Sequence, residues 1–456
     1  MTSFSPDLFA GKRFAVVGLG RNGLPVARAL IAIGADVLAW DDSPNARAIT
    51  DVPIADPSLD RGSFDALILS PGIPHHLPQP HRLAAWASER RIPILSDAEL
   101  LFRAVRQAGS QAKFVGITGT NGKSTTTALL AHILTAAGIA NGIGGNFGTP
   151  ALALPLLDDD SVYILEMSSY MLERIATIRF DAAAMLNLSP DHLDRHGDMD
   201  GYAHAKSRVF DRQLAGDVAV IGIDDTESIA VASAMHGRAS RLVTISGHRR
   251  ADFWCDNGTV RDAAGEILSM DEAPALPGAH NAQNVAAATA IALALGIDRP
   301  TIADAIRSFA GLAHRQQVVG HVGDISFVND SKATNADAAA RALGCYDRVV
   351  WIAGGQAKAG GIAALAEYFP RIVHAELIGR DAPVLAETLA AHGVSHHIAS
   401  TLENAVPTAL QVARAHVADT VLLSPACASF DQFSGFEARG EKFSELVQAL
   451  SCGRAA

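Results

Sequence analysis

One segment constrains this chain more than any other: Lys113-Phe114-Val115-Gly116-Ile117-Thr118-Gly119-Thr120-Asn121-Gly122-Lys123-Ser124-Thr125. An apolar run enters a glycine-rich turn that closes on Gly-Lys-Ser-Thr, and helical character follows from Thr126 to about Ala137. This is the strand–loop–helix order of a phosphate-binding loop. Glycines let backbone N–H groups close on phosphate oxygens, and the helix N-terminus adds partial positive charge. Lys123 is spaced to reach terminal phosphates, and Ser124 to offer a hydroxyl to magnesium. The usual pattern has a glycine five residues before Gly122, where Ile117 stands, so the loop reads as a shorter Gly-x-x-Gly-Lys-Ser. The functional reading is nucleoside triphosphate binding; the bland one is a glycine turn joining strand to helix.

A related grammar opens the chain. A strand, Arg13–Val17, runs into Gly18-Leu19-Gly20-Arg21-Asn22-Gly23, a helix from about Leu24 to Gly34, and a strand Asp36–Trp40 ending in Asp41-Asp42. Gly-x-Gly-x-x-Gly after a strand, with an acid about 20 residues on, is the dinucleotide fingerprint. A third strand, Ala66–Leu69, leads into Ser70-Pro71-Gly72. The reading is a Rossmann-like half for a diphosphate-linked nucleotide, against a glycine turn that only packs helix on strand. His75 and His76 read as a solvated loop.

Length and charge bound the rest. At 456 residues the chain suggests about three domains. The formal net charge of -11 argues against nucleic acid as a general partner, but not against a small anion held by a local cluster of Arg and Lys. No stretch approaches about 18 uninterrupted apolar residues, so no membrane span is expected. Residues 1–13 lack the apolar core of a signal peptide. Cys255, Cys345, Cys427 and Cys452 are far apart and read as thiols in a reducing compartment. The protein is expected to be cytoplasmic, and nothing demands more than a monomer.

From residue 111 onward, polar loops recur past apolar runs. Asn141–Gly148 reads as a flexible glycine loop. Val162–Leu165 ends in Glu166, either a magnesium-associated carboxylate or a surface acid. Ala182–Leu186 leads to Asp191-His192-Leu193-Asp194-Arg195-His196, a metal site or a helix start capped by Asp191. Lys206, on the next helix, reads by default as a surface lysine. Residues 217–270 show short β-like segments without visible chemistry. An Ala-rich helix entered at Asn281 runs to about Leu295, with Asn281 a cap or a ligand contact. A boundary falls near Gly311, followed by a hairpin around Gly323-Asp324 and a third α/β repeat. Its strands precede Asn329-Asp330-Ser331-Lys332-Ala333-Thr334-Asn335, Gly354-Gly355 with Lys358 beyond, and Ser424–Phe436. Ligands of such sheets bind at strand carboxyl ends.

These motifs, in this order, resemble the Mur ligase family over essentially the whole chain: Gly119–Thr125, Glu166–Tyr170, Asn187–Asp194, His280–Asn284, His314-Arg315, Asn329–Asn335 and Ser424–Phe436. The shortened phosphate loop is itself a family feature. The resemblance implies an α/β chain of three domains. A Rossmann-like domain (1–110) would take the UDP-substrate. A central P-loop ATPase-like domain (111–312) would take ATP, and a Rossmann-like domain (313–456) the amino acid. It implies an ATP-dependent, ADP-forming amide ligase of cytoplasmic peptidoglycan precursor synthesis. Its substrates would be UDP-N-acetylmuramoyl-L-alanine, D-glutamate and ATP, used with two Mg2+ ions. By resemblance, Gly119, Thr120, Asn121, Gly122, Lys123, Ser124, Thr125, Asn281, Asn284, Arg315 and Asp330 would meet ATP. Ser124 and Glu166 would hold one Mg2+, and His192 with a carbamylated Lys206 the other. Gly20, Arg21, Asn22, Asp41, Ser70, Pro71, Gly72 and Asn146 would meet the UDP-sugar. Thr334, Lys358, Ser429 and Phe436 would meet glutamate. Lys123, His192, Lys206, Arg315 and Lys332 would be catalytic. The turn before Lys358, Gly354-Gly355-Gln356-Ala357, lacks the Asp-Gly expected there. A folylpolyglutamate-type ligase, a dinucleotide-dependent oxidoreductase and a nucleotide sensor are the competing readings. The Gly18–Gly23 unit speaks against the first, and the unexplained Lys123, Glu166 and His192 against the second. The intact set Lys123, Ser124, Glu166, His192 and Lys206 speaks against the third.

Overall fold

The computed structural model describes residues 3–48, 50–358 and 360–451, so Cys452 lies outside the described residues. The chain divides into two compact units: Met1–Glu272 with Asn281–Ser308, and Ala273–His280 with Phe309–Ala456.

The first unit carries two sheets. One is parallel, in the order Asp36–Trp40, Arg13–Val17, Ala66–Leu69, Ile94–Leu95. Three of these strands match the sequence expectation residue for residue, because short apolar runs bounded by glycines and turns have few alternatives. The chain leaves Arg13–Val17 toward one neighbour and returns on its other side, which puts a switch point at its carboxyl end. Gly18, Asp41 and Ser70 follow the three strand ends there.

The second sheet has nine strands, in the order Gly265–Ser269, Thr259–Asp262, Phe253–Asp256, Arg241–Ser246, Val218–Gly222, Ala182–Met185, Lys113–Thr118, Val162–Glu166, Asn141–Gly145. It is parallel from Asn141–Gly145 through Phe253–Asp256, and two antiparallel strands close the far edge. Asn141–Gly145 is thus an edge strand rather than a flexible loop. Its glycines have little strand propensity, but five-residue parallel pairing with Val162–Glu166 fixes it. Lys113–Thr118 lies between Val162–Glu166 and Ala182–Met185, buried from Phe114 onward, and the phosphate loop leaves its carboxyl end. The helix after the loop spans Lys123–Ala136, starting three residues earlier than its apolar pattern indicated.

The second unit holds one six-stranded sheet, in the order Gln317–Val322, Ile325–Asn329, Thr420–Leu423, Val349–Gly354, Ile372–Ile378, His396–Ser400. The first two form the expected antiparallel hairpin; the other pairs are parallel. Apolar clusters cover both faces: Trp351, Leu377 and Leu385 on one, Val350, Val406 and Phe443 on the other. Asp330, Ser424 and Gly355 again leave strand carboxyl ends.

Candidate active site

The phosphate loop is held by the segment after Ala182–Met185. Thr120 N donates to Asn187 O at 2.8 Å, and Asn121 N to Asn187 Oδ1 at 2.9 Å. Gly119 and Gly122 adopt φ +142° and +84°, and a Cβ on Gly122 would run into Asn284 Oδ1. Lys123 Nζ donates to Gly119 O at 2.9 Å and Thr120 O at 2.8 Å, so the cation lies over the loop. Ser124 Oγ donates to Glu166 Oε2 at 2.6 Å, and Asn146 Nδ2 to Glu166 Oε1 at 2.8 Å. Glu166 is 2% exposed, so it is no surface acid. Thr125 sits in the first turn of the helix.

Lys206 is a correction to the default sequence reading: it is 2% exposed, and its Nζ donates to Gly119 O at 2.8 Å. Its ammonium lies 4.7 Å from the ring centre of Tyr202, whose hydroxyl bonds Thr120 Oγ1. Burial, and then the charge of Lys123, drive the Lys206 amine well below its ordinary pKa against the pull of Asp191 and Glu166. His192 is half-exposed, at φ +54°, immediately before the short helix Leu193–His196. Its pKa is lowered by burial and by Lys206. Asp191 does not cap that helix: the cap position is His192, without a side-chain bond. Asp191 Oδ2 instead lies 3.3 Å from His192 Nε2.

The Ala-rich helix begins at Ala279, so Asn281 stands inside its first turn rather than at its cap. Asn284 Nδ2 donates to Asn281 Oδ1 at 3.0 Å, and both side chains are buried. The neighbouring Gln283 exposes what the 217–270 stretch contributes. It joins Asn187 Nδ2 to Asp224, while Asp225 accepts from Leu188 N. Both acids follow Val218–Gly222, and only the fold shows that this strand ends beside the loop.

A cavity of about 520 Å3 opens at the first sheet's switch point. Gly20, Arg21, Asn22, Asp41, Ser70, Pro71, Gly72 and Asn146 all line it. Asp41 staples the glycine turn, with Oδ2 accepting from Leu19 N at 2.7 Å and Oδ1 from Ser43 N at 2.8 Å. Asp42, also on the wall, bonds His81 and Trp40, and its pKa is lowered chiefly by the His81 bond. Gly23 is obligatory: a Cβ there would collide with Gly18 O. His75 is buried beside Arg174 and pushed down to about 3, chiefly by burial, whereas His76 is exposed as expected.

The second unit gathers its own set. Asp330, 7% exposed, accepts from Ser424 Oγ at 2.7 Å and Gln316 N at 3.2 Å. Burial raises its carboxyl to about 7, against these bonds and Arg315. Lys332 Nζ lies 3.7 Å from the ring centre of Phe436, and Lys332 N donates to His314 O. Thr334 N bonds Lys332 O, and Ser429 is buried at the end of the 424–429 loop. Lys358 is exposed, in a turn whose acid comes from elsewhere: Ala357 N donates to Asp381 Oδ2 at 2.8 Å. Arg439 escaped sequence reading. It is 1% exposed and donates to Ser331 Oγ, Ser331 O, Cys427 O and Gly354 O, tying three loops together. Burial lowers it to about 10.

Two oxygen donors 2.6 Å apart at the end of a phosphate loop fit Mg2+, which takes few protein ligands and keeps water and phosphate oxygens. The amine of Lys206 does not fit a hard cation unless converted to an oxygen ligand.

The Mur ligase middle domain matches residues 117–292, and the Mur ligase, glutamate ligase domain matches residues 314–427. A UDP-N-acetylmuramoylalanine--D-glutamate ligase of Paramagnetospirillum magneticum is 48% identical, over 99% of this chain and 100% of its own. One of Caulobacter vibrioides is 46% identical, over 98% and 97%. Among solved structures, the UDP-N-acetylmuramate-alanine ligase of Thermotoga maritima aligns over 96% of this chain and 99% of its own, with a TM-score of 0.61 at 18% identity. A UDP-N-acetylmuramoylalanyl-D-glutamyl-2,6-diaminopimelate--D-alanyl-D-alanyl ligase of Acinetobacter baumannii aligns over 98% and 93%, with a TM-score of 0.60 at 18% identity. The structural likenesses carry the three-domain α/β fold, and the full-length sequence likeness carries the lineage: this chain belongs to the Mur ligase family.

Proposed function

We propose that the protein joins D-glutamate to UDP-N-acetylmuramoyl-L-alanine at the expense of ATP, in cytoplasmic peptidoglycan precursor synthesis. One observation carries the reading. Asn146 lines the 520 Å3 cavity and also bonds Glu166, the acid paired with Ser124 of the phosphate loop. A nucleotide–sugar held in the cavity therefore delivers its free carboxylate toward the phosphate loop. Residues 1–110, 111–312 and 313–456 serve as the UDP-substrate, ATP and amino-acid domains.

In the first step a substrate carboxylate oxygen attacks the γ-phosphorus of ATP, the bond to ADP breaks, and an acyl phosphate forms. The amine of glutamate then attacks the acyl carbon, and the tetrahedral intermediate expels phosphate and loses a proton. Two anions must meet in the first step, so cationic groups are needed to offset repulsion and spread the transferring charge. Lys123 and Arg315 bear on the γ-phosphate. Ser124 and Glu166 would hold one Mg2+, and His192 with a carbamylated Lys206 the other; bound there, the metals would neutralise phosphate charge. The loop residues Gly119 to Thr125, with Asn281, Asn284 and Asp330, hold the nucleotide. Thr334, Lys358, Ser429 and Phe436 hold glutamate, with Lys332 catalytic beside them. The eight cavity residues hold the UDP-sugar.

The test is phosphate release from ATP and Mg2+ with UDP-N-acetylmuramoyl-L-alanine, run with D-glutamate, L-glutamate or no amino acid. Release that requires D-glutamate is the expected result. Release with L-glutamate alone would overturn the stereochemical assignment, and silence in every tube would overturn the reaction.

A further inference from the structure

The turn Ser70 to Ile73 forms one wall of the cavity, yet its main chain is held from behind. Arg174 lies just past the short helix Ser169–Leu172 and is 2% exposed. Its guanidinium donates to Leu69 O at 2.9 Å, to Ser70 O at 3.3 Å and to Ile73 O, and its Nε to His75 Nδ1 at 3.4 Å. The main chain around it is docked as firmly. Ser96 N donates to Arg174 O at 2.9 Å, and Glu99 accepts the N–H groups of Ala176, Thr177 and Ile178. From another side, Arg195 Nη1 donates to Gly72 O at 3.0 Å while its guanidinium lies 4.4 Å from the Tyr170 ring centre. Four carbonyls of five consecutive residues, 69, 70, 72 and 73, thus accept from two guanidinium groups.

That arrangement is specific to arginine. A guanidinium is a rigid fork of five N–H donors, whereas an ammonium is a compact point charge. Burying a cation among neutral carbonyls is costly, and burial lowers Arg174 to about 10. The same turn in turn supports the glycine loop: Ser70 Oγ donates to Gly18 O at 2.8 Å, and Ser70 N to Val17 O at 2.9 Å. Arg174 itself is not on the cavity wall.

We propose that Arg174, assisted by Arg195, is a positioning residue for the nucleotide–sugar: it fixes the Ser70–Ile73 turn, and through it the cavity, without touching the ligand. This rests on the assignment of the cavity to UDP-N-acetylmuramoyl-L-alanine. A residue that only supported folding would lower the active fraction, and with it the apparent kcat, without raising one substrate's KM. A brace behind one substrate's wall acts on that substrate alone.

The experiment compares full-length wild type with Arg174→Met, Arg174→Lys and Arg195→Met, varying each substrate in turn. Charged hydrogen bonds of ordinary strength predict a KM for the nucleotide–sugar raised about tenfold or more in Arg174→Met and about threefold in Arg195→Met. The KM values for ATP and glutamate stay within about twofold, and Arg174→Lys recovers part of the loss. Unchanged nucleotide–sugar KM in either methionine variant, or a parallel rise in all three KM values, overturns the proposal. If Arg174→Met does not fold, Arg195→Met decides on the same terms. Calorimetric titration with the nucleotide–sugar alone separates the two layers. Weaker binding to the variants, with no turnover even in wild type, would fault the reaction and still support the brace.

Discussion

An ordinary lysine amine is neutral in roughly one molecule in a few thousand at pH 7. Lys206 escapes that limit because its Nζ is enclosed and shares its surroundings with Lys123, and burial first and then that neighbouring charge drive its pKa well below the usual value. Carbon dioxide adds only to the neutral amine, so the shift raises the fraction able to become a carbamate. The sign is definite: carbamate persists above the lowered pKa and is lost as pH falls through it. With 13C-labelled bicarbonate, the wild-type protein should show a carbamate resonance at neutral pH that fades on acidification. Lys206→Ala should lack that resonance and lose about a hundredfold or more in phosphate release. A variant with full activity, or a wild type with no such resonance, would end the carbamate reading. The local pattern around Lys206 reads as a surface lysine, and only the family resemblance marked it out; the fold supplies the reason by placing Gly119, 87 positions away, against it.

At the scale of elements, the phosphate loop shows why glycine is required at one place and merely tolerated at another. Gly122 and Gly138 flank the same helix at φ +84° and +73°. A Cβ on Gly138 would meet open space, while one on Gly122 would strike Asn284 Oδ1. Gly138→Ala should therefore cost only backbone strain, about 1 kcal/mol, and leave nucleotide binding intact. Gly122→Ala should add a clash inside the site and weaken binding of a fluorescent ATP analogue about tenfold or more. Equal affinities in the two variants would refute the argument. Elements like this strand, loop and helix were legible because each is written in adjacent residues. The switch-point strands Arg13–Val17, Asp36–Trp40 and Ala66–Leu69 fell where their apolar runs placed them. What escaped was long-range. Asn141–Gly145 is a strand only because Val162–Glu166 pairs with it. Arg174 takes its meaning from carbonyls about a hundred residues earlier, and Arg439 from Ser331, 108 positions away. No local pattern distinguishes such arginines from solvated ones.

For the whole molecule, the division into two units has a thermodynamic consequence. The apolar clusters of Met1–Glu272 draw on residues 9–235, and those of the second unit on residues 325–447, so each unit owns its core. Chains built this way do not unfold in one cooperative step. The cavity assigned to the nucleotide–sugar is lined wholly by first-unit residues. A ligand at about a hundred times its Kd stabilises the state it binds by roughly 2.7 kcal/mol, which slows amide exchange through opening about a hundredfold. UDP-N-acetylmuramoyl-L-alanine alone should thus protect peptides carrying Arg13–Val17 and Ala66–Leu69 against exchange. Peptides carrying Val349–Gly354 and Thr420–Leu423 should exchange as before. Exchange resolved by mass spectrometry reads both in one sample. Equal protection in the two units would mean that the ligand's binding energy is not confined to the cavity wall.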